Sequence, residues 1–237
     1  MKANYFTISE QGKRDYNEDF LFVENDSELF LVCDGVGGNN KGEVASQKAC
    51  ENFVQYLSEN PDYSVTGLEK ALTVCESKFD AYTDLNPDAK GMATTLTLLK
   101  LFPDKAVVGH IGDSRVYQVR NGEILFQTSD HSFVNELVAS GFLTPEEALT
   151  HPKRNQITRA IQGSENNTYI DVNEIGSVEV NDYFMLCSDG ILEGIDDTFI
   201  QNIFLENNSL ENIKELMLYN CREKSSDNFT AIVIKIA

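Results

Sequence analysis

The sequence predicts an α+β fold in which antiparallel sheets are covered by helices. Three observations carry this reading. Strand-like runs follow one another in groups, helix-like runs stand in pairs between the groups, and Asn121-Gly122 separates two of the strand-like runs as a tight hairpin turn would. A doubly wound parallel sheet would alternate strand and helix regularly instead.

In chain order, residues 29–33 form an apolar run that stops at Asp34-Gly35. Over residues 44–57, Val44, Ala45, Ala49, Phe53, Val54 and Leu57 recur at helical spacing, and residues 68–82 read similarly. Residues 94–101 mix threonine with leucine, as a buried strand does. Strands over 106–111, 116–119 and 123–126 follow, the last two joined across Asn121-Gly122. Residues 133–156 read as two short helices with a bend at Gly141. Thr144-Pro145-Glu146-Glu147 supplies the cap, the first-turn proline and the capping-box glutamate of the second. Residues 183–187 and 229–236 are the last strands, and Ser209 caps a helix that runs to residue 221.

The 237 residues suit one domain over residues 1–237, and a hydrophobic content of 41% allows a sizeable core. The 19 basic and 38 acidic residues leave a formal charge of −19. That excess argues against nucleic acid or an anionic membrane as partner, since both select basic patches. No apolar run at the start is long enough for a signal peptide, and none elsewhere approaches the ~18 residues of a membrane span. Five cysteines, at 33, 50, 75, 187 and 221, follow no metal-knuckle spacing. An odd count without a signal points to free thiols in a reducing cytoplasm, with Cys33 and Cys187 as small core residues.

Three aspartates share a local pattern. Asp34 and Asp189 each follow an apolar run and precede glycine, and Asp227-Asn228 runs directly into the last strand. A fourth, Asp113, sits in Gly112-Asp113-Ser114 between two strands. Asp-Gly is also common turn chemistry, so any one of them carries little. Strand ends far apart in sequence are often neighbours in a sheet, however, and converging carboxylates repel severely unless a cation compensates them. Ligands that are all oxygen favour Mg2+ or Mn2+ over zinc or copper, and paired ions of this kind activate water for attack on phosphorus. A phosphoryl substrate also needs a cation of the protein, and the Arg14 guanidinium offers a planar fork for two phosphate oxygens.

These segments are recognisable together. Gly12-Lys13-Arg14-Asp15-Tyr16-Asn17-Glu18-Asp19, Cys33-Asp34-Gly35-Val36-Gly37-Gly38 and Gly42-Glu43-Val44-Ala45-Ser46 come first. Gly91-Met92-Ala93-Thr94-Thr95, Gly112-Asp113-Ser114-Arg115, Thr128-Ser129-Asp130-His131-Ser132 and Thr158-Arg159-Ala160-Ile161 follow. Ser188-Asp189-Gly190 and Asp227-Asn228-Phe229-Thr230 close the series. In this order the chain resembles the metal-dependent serine/threonine protein phosphatase family, the protein phosphatase 2C type, in its compact bacterial form.

The resemblance implies a central sandwich of two antiparallel sheets with helices on both outer faces, and a small flap near residues 132–157. It implies a phosphatase for phosphoserine and phosphothreonine, acting by direct attack of a metal-bridging hydroxide without a covalent phosphoenzyme. The implied cofactors are Mn2+ or Mg2+, two core ions and a weaker third. Asp34 would bridge two metals, with the Gly35 carbonyl on one and Asp189 and Asp227 on the other. Glu18 would act through a metal-bound water, and Asp113 with Asp189 would hold the third ion. Arg14 would clamp the phosphate. Implied partners are phosphorylated proteins, with a cognate serine/threonine kinase or its targets.

Many eukaryotic members place histidine where this chain has Val36, and valine cannot protonate a leaving alkoxide. His131 and His110 read as structural, His151 as exposed, and Val36 as a packing residue. Two other readings stand beside the phosphatase. A catalytically dead member acting as a binding module is expected to lack a metal aspartate, and none of the four is missing. A metal-dependent hydrolase of another phosphoester, such as a nuclease, is disfavoured by the acidic charge.

Overall fold

The computed structural model describes residues 3–26, 28–36, 41–205 and 208–237. The strands are β1 (Ala3–Glu10), β2 (Asp19–Glu24), β3 (Leu29–Val36), β4 (Ala93–Thr94), β5 (Leu96–Leu101), β6 (Ala106–Ile111), β7 (Arg115–Arg120), β8 (Glu123–Gln127), β9 (Asp171–Ile175), β10 (Tyr183–Cys187) and β11 (Phe229–Ile236). The α-helices are α1 (Gly42–Glu59), α2 (Val65–Leu85), α3 (Phe133–Ala139), α4 (Pro145–Thr150), α5 (Asp189–Gly194), α6 (Asp197–Ile203) and α7 (Leu210–Lys224).

Side chains that alternate along the strands set the layers. In β3, Leu29, Leu31 and Cys33 join a cluster with α1 and α2, while Phe30 and Val32 point the other way. In β11, Phe229, Ala231 and Val233 join a cluster with α5, α6 and α7, while Ile232, Ile234 and Ile236 meet Phe30 and Val32. Each central strand is therefore apolar on both faces, which a strand between two covered layers requires. One sheet has the order β1-β11-β10-β7-β8 and the other β2-β3-β5-β6-β9, with β4 paired to β3, and all the pairings are antiparallel. The result is the expected helix–sheet–sheet–helix sandwich. Removing a large side chain between the sheets, such as the fully buried Phe184, would cost ~3–5 kcal/mol.

Of the predicted helices, α2 and α7 have side-chain caps, whereas α1 starts from Lys41 without one. Ser64 accepts from Gly67 N at the start of α2, and Ser209 accepts from Asn212 N at the start of α7. Arg222 and Lys224 lie in the last turn of α7, where positive charge suits the helix dipole. Asn121 (φ 46°) and Gly122 (φ 80°) turn the β7–β8 hairpin, as a type I′ turn does. Thr144 and Glu147 form the full capping box of α4, and Gly141 bends the chain before it with φ 74°. Ser132 and Ile157 pair as an isolated bridge, so the flap leaves and returns at one point.

Three expectations need correction. The strand expected over 94–101 is broken at Thr95, whose backbone and side chain turn aside to hold Asp34. β1, β2, β9, α5 and α6 were not foreseen. His151 is half-buried rather than exposed, closing the end of α4 while its Nδ1 accepts from Lys153 N. All five cysteines are buried and free.

Candidate metal centre

Antiparallel pairing explains why the aspartates meet. β10 and β11 run in opposite directions with Cys187 opposite Ala231, so the end of one lies beside the beginning of the other. Asp189, just past β10, is thereby brought next to Asp227, just before β11. Asp113 sits where the chain leaves β6 in one sheet and enters β7 in the other. Asp34 closes the same end of the sandwich from β3. A cavity of about 240 Å3 there is lined by Arg14, Glu18, Asp34, Gly35, Asp113, Asp189 and Asp227, so all seven predicted residues come together. Val36, Asn155, Ile157 and Asn228 complete the lining.

The glycines after Asp34 and Asp189 are there for contact, not for turns. Gly35 lies within β3, and a Cβ on it would come within 2.3 Å of the Gly42 carbonyl oxygen at the start of α1. Gly190 lies within α5, and a Cβ there would come within 2.0 Å of the Asn228 carbonyl oxygen. Each glycine lets two backbones close on the acid beside it.

The backbone around the acids is tightly held. Asp34 N donates to Thr95 Oγ1 (2.9 Å), while Thr95 N and Thr94 Oγ1 donate to the Asp34 carbonyl (2.9 and 2.8 Å). Thr95 Oγ1 also meets Ser114 Oγ at 2.7 Å, tying Asp34 to the Asp113 loop. His131 clamps Gly112, donating from its backbone N to the Gly112 carbonyl and accepting from Gly112 N at Nδ1. The proton is then on Nε2, which donates to Asp171 (2.9 Å). His110 is buried, with Nε2 at 2.9 Å from the Ser114 carbonyl. Both histidines are structural, as expected. Asn228 Oδ1 accepts from Glu18 N, and its Nδ2 donates to the Gln11 and Tyr16 carbonyls, fastening the Arg14 segment to β11.

The carboxylates are not satisfied by the protein. Burial, with Asp19 and Asp189 as the nearest like charges, raises the Asp34 pKa well above the usual carboxylate range. Burial pushes Asp113 up to about 7, reinforced by Asp189 and Asp130. Asp189 is pushed up to about 6 by burial and by Asp227 and Glu193, although a hydrogen bond with Asp34 works the other way. Burial and Glu43 raise Glu18. Asp19 lies directly opposite Asp34 in the β2–β3 ladder, and burial pushes it up to about 7. Its Oδ2 accepts from Ser188 Oγ, but its Oδ1 is buried without a partner. Arg14 Nη2 donates to Asp227 Oδ2 at 2.5 Å.

Among the described residues, no three acidic, histidine or cysteine side chains are gathered into a closed ligand shell. Arg14 occupies Asp227, and Ser188 occupies one oxygen of Asp19. The donor set nevertheless fits a hard divalent cation. Its carboxylates offer only oxygen and carry negative charge that burial opposes, and behind it Asp19, opposite Asp34 in the β2–β3 ladder, keeps one buried oxygen without a partner.

The family model for protein phosphatase 2C matches residues 9–226. The chain belongs to the protein phosphatase 2C family. Among its phosphatase relatives is the serine/threonine protein phosphatase PstP of Mycobacterium tuberculosis, 33% identical over 234 residues. That match covers 98% of this chain but 45% of PstP, so the chain spans about half of the relative's length. A crystal structure of the same organism's PstP/Ppp superposes with a TM-score of 0.88 at 32% identity, covering 100% of this chain and 99% of that one. The catalytic domain of PstP in complex with two manganese ions superposes with a TM-score of 0.84 at 30% identity, covering 99% of each. The fold also brings Asp19 opposite Asp34 and Asn228 against the Glu18 backbone, two residues to which the sequence pattern assigns no role. Asp19 was seen only as part of a motif, and Asn228 only as a neighbour of Asp227. Asn228 stands beside Asp227 in the sequence, whereas the pairing of Asp19 with Asp34 appears only in the β2–β3 ladder.

Proposed function

We infer that this chain is a single catalytic domain over residues 1–237 that hydrolyses phosphoserine and phosphothreonine in proteins, using Mn2+ or Mg2+. The observation that carries the reading is one cavity holding Asp34, Asp113, Asp189, Asp227, Glu18 and Arg14, where burial and mutual charge leave the acids in need of a cation.

In this reading Asp34, the Gly35 carbonyl, Asp189 and Asp227 would hold the two core ions, with Asp34 serving both. Glu18 would contribute through water, and Asp113 with Asp189 would hold a weaker third ion. When bound, the ions neutralise the carboxylates and supply the Lewis acidity that activates water and polarises the phosphoryl group. Arg14 orients the phosphate. Its side chain is 58% exposed and bonded to Asp227 through one nitrogen, so the rest of its fork is open to phosphate oxygens. Thr94, Thr95 and Ser114 keep the acids from moving as charge changes on the substrate. Val36 offers no proton to the leaving alkoxide, and no described residue lining the cavity is a histidine. The leaving group is therefore protonated from solvent held in the site, which gives Asp113 added weight. Phosphorylated proteins are the substrates, with a serine/threonine kinase acting in opposition. The buried free thiols fit a reducing cytoplasm, and among the described residues no helix is long and apolar enough to cross a membrane.

The test is release of phosphate from a phosphothreonine peptide and from p-nitrophenyl phosphate, with and without Mn2+. Metal-dependent release from both is expected. Absence of release from either substrate would end this reading.

A further inference from the structure

The acidic cavity opens into a larger groove of about 520 Å3, and the two share Asp113, Asn155 and Asp189. We propose that this groove seats an apolar side chain of the substrate polypeptide next to the phosphorylated residue. The proposal rests on the phosphatase reading above.

The groove runs between the flap and α5. Val138 of α3 and Pro145 and Leu149 of α4 form one wall, and Leu192 of α5 stands opposite. Val134 and Ala148 line the groove as buried residues, whereas Leu149 is 75% exposed, so the flap presents an apolar row to the groove. Since α5 begins at Asp189, the wall facing the flap is continuous with the acidic centre.

Charge in the groove does not invite a basic side chain. Asp130 is already held by both arms of Arg115, at 2.6 and 2.7 Å. Glu193 accepts from the backbone and hydroxyl of Ser226. Arg154 at the groove's edge has no ion pair among the described residues, the rest of the unanswered surface is apolar, and the volume falls in the ~300–1,000 Å3 range of ligand sites.

The occupant follows from reach. A phosphoserine or phosphothreonine hangs its phosphate from a very short side chain, so the backbone must cross the mouth of the cavity. Its neighbours then lie in whatever adjoins that mouth. Asn155 sits where the two spaces meet, and its side-chain amide has no hydrogen-bond partner among the described residues. An amide offers one acceptor and two donors, the complement of a passing peptide unit.

The test uses phosphothreonine peptides that differ only in leucine, glycine or aspartate beside the phosphothreonine on either side, with p-nitrophenyl phosphate as the substrate that cannot reach the groove. The protein should favour a leucine-flanked peptide over its glycine counterpart by about tenfold in kcat/KM, mainly through KM. In Leu149→Asp the preference should fall to about twofold or less, and the ratio of peptide to p-nitrophenyl phosphate kcat/KM should drop with it. In Leu149→Lys the preference should move toward the aspartate peptides. Both changes lie on the exposed flap surface, where folding is not at stake. If p-nitrophenyl phosphate is hydrolysed but all peptides are treated alike, or the variants keep the leucine preference, the groove is overturned and the phosphatase reading stands. If nothing is hydrolysed, the phosphatase reading falls and the groove with it.

Discussion

The two ends of β10 carry acids with opposite fates. Asp182 precedes the strand and is fully buried, yet it is answered by the protein alone. It accepts from Arg120 Nε (2.6 Å) and Nη2 (2.9 Å), from Gln118 Nε2 (2.8 Å) and from Glu179 N (3.0 Å). Asp189 follows the strand and is surrounded by other acids, with its pKa pushed up to about 6. The arginines differ in the same way. Arg120 lies in a fork against Asp182, while Arg14 reaches Asp227 through a single nitrogen and is largely exposed. A satisfied buried acid is architecture. A half-buried acid left among its own kind calls for something added later, and the family's metal dependence points to a cation.

The sharpest break of this contrast is to neutralise one acid at each end. Asp189→Asn should lower turnover at limiting Mn2+ by at least about 100-fold, because a ligand matters more than the outer-shell groups whose loss already costs ~10–100-fold. Calorimetric titration with Mn2+ should show weaker binding. Full turnover with unchanged binding would remove Asp189 from the centre. Asp182→Ala should do the reverse. It leaves Arg120 and Gln118 without their partner and should destabilise the fold by about 3 kcal/mol in urea unfolding, with turnover per folded molecule kept. Arg14→Ala sharpens the arginine comparison. It should raise KM about tenfold and leave kcat nearly unchanged, since one charge-assisted contact to phosphate is worth ~1.5–3 kcal/mol. An unchanged KM would return Arg14 to the role of a surface ion pair.

Legibility in the sequence follows the same division. Asp34, Asp189 and Asp227 could be picked out because each abuts an apolar strand, and strand ends are where a sandwich can gather residues. The strands buried on both faces were readable as apolar runs. β1 was not, because it is an edge strand and Ile8 is its only fully buried side chain. β9 is likewise an edge strand, polar over most of its length. α5 and α6, six and seven residues long, are too short to show a helical period. Asp182 was overlooked because its partners Gln118 and Arg120 lie more than 60 residues away across a ladder. Thr95 reads locally as one more strand residue, and only the three-dimensional meeting of Asp34 and Ser114 explains the break it makes. The sequence showed which acids were unusual, but not which of them the fold would satisfy.

The smallest expected effect tests that last distinction without any mutation. Asp19 and Asp113 are pushed up to about 7 and Asp189 to about 6. An acid whose folded pKa is raised contributes stability that is present at low pH and lost as pH rises through the folded value. His110, pushed down to about 3 by burial, and His131, also lowered by burial, act in the opposite sense until pH is about one unit above the ordinary histidine pKa of ~6.5. From pH 6.5 to 8 the carboxylates lose more than the histidines return, and Glu76 of α2, pushed up to about 7 by burial outside the centre, adds a loss that Mn2+ does not offset. Across this window the metal-free protein should lose about 1 kcal/mol for each of Asp19 and Asp113, or ~2–4 °C in Tm for each at this chain length, and only about 0.2 kcal/mol for Asp189, whose loss falls mostly below pH 6.5. Saturating Mn2+ takes the place of the lost protons, so the stabilisation it gives should grow with pH over the same window. A metal-free Tm that stays flat or rises would mean that the acids beyond β10 are as well answered by the protein as Asp182 before it, and the need for a cation would lose its physical basis.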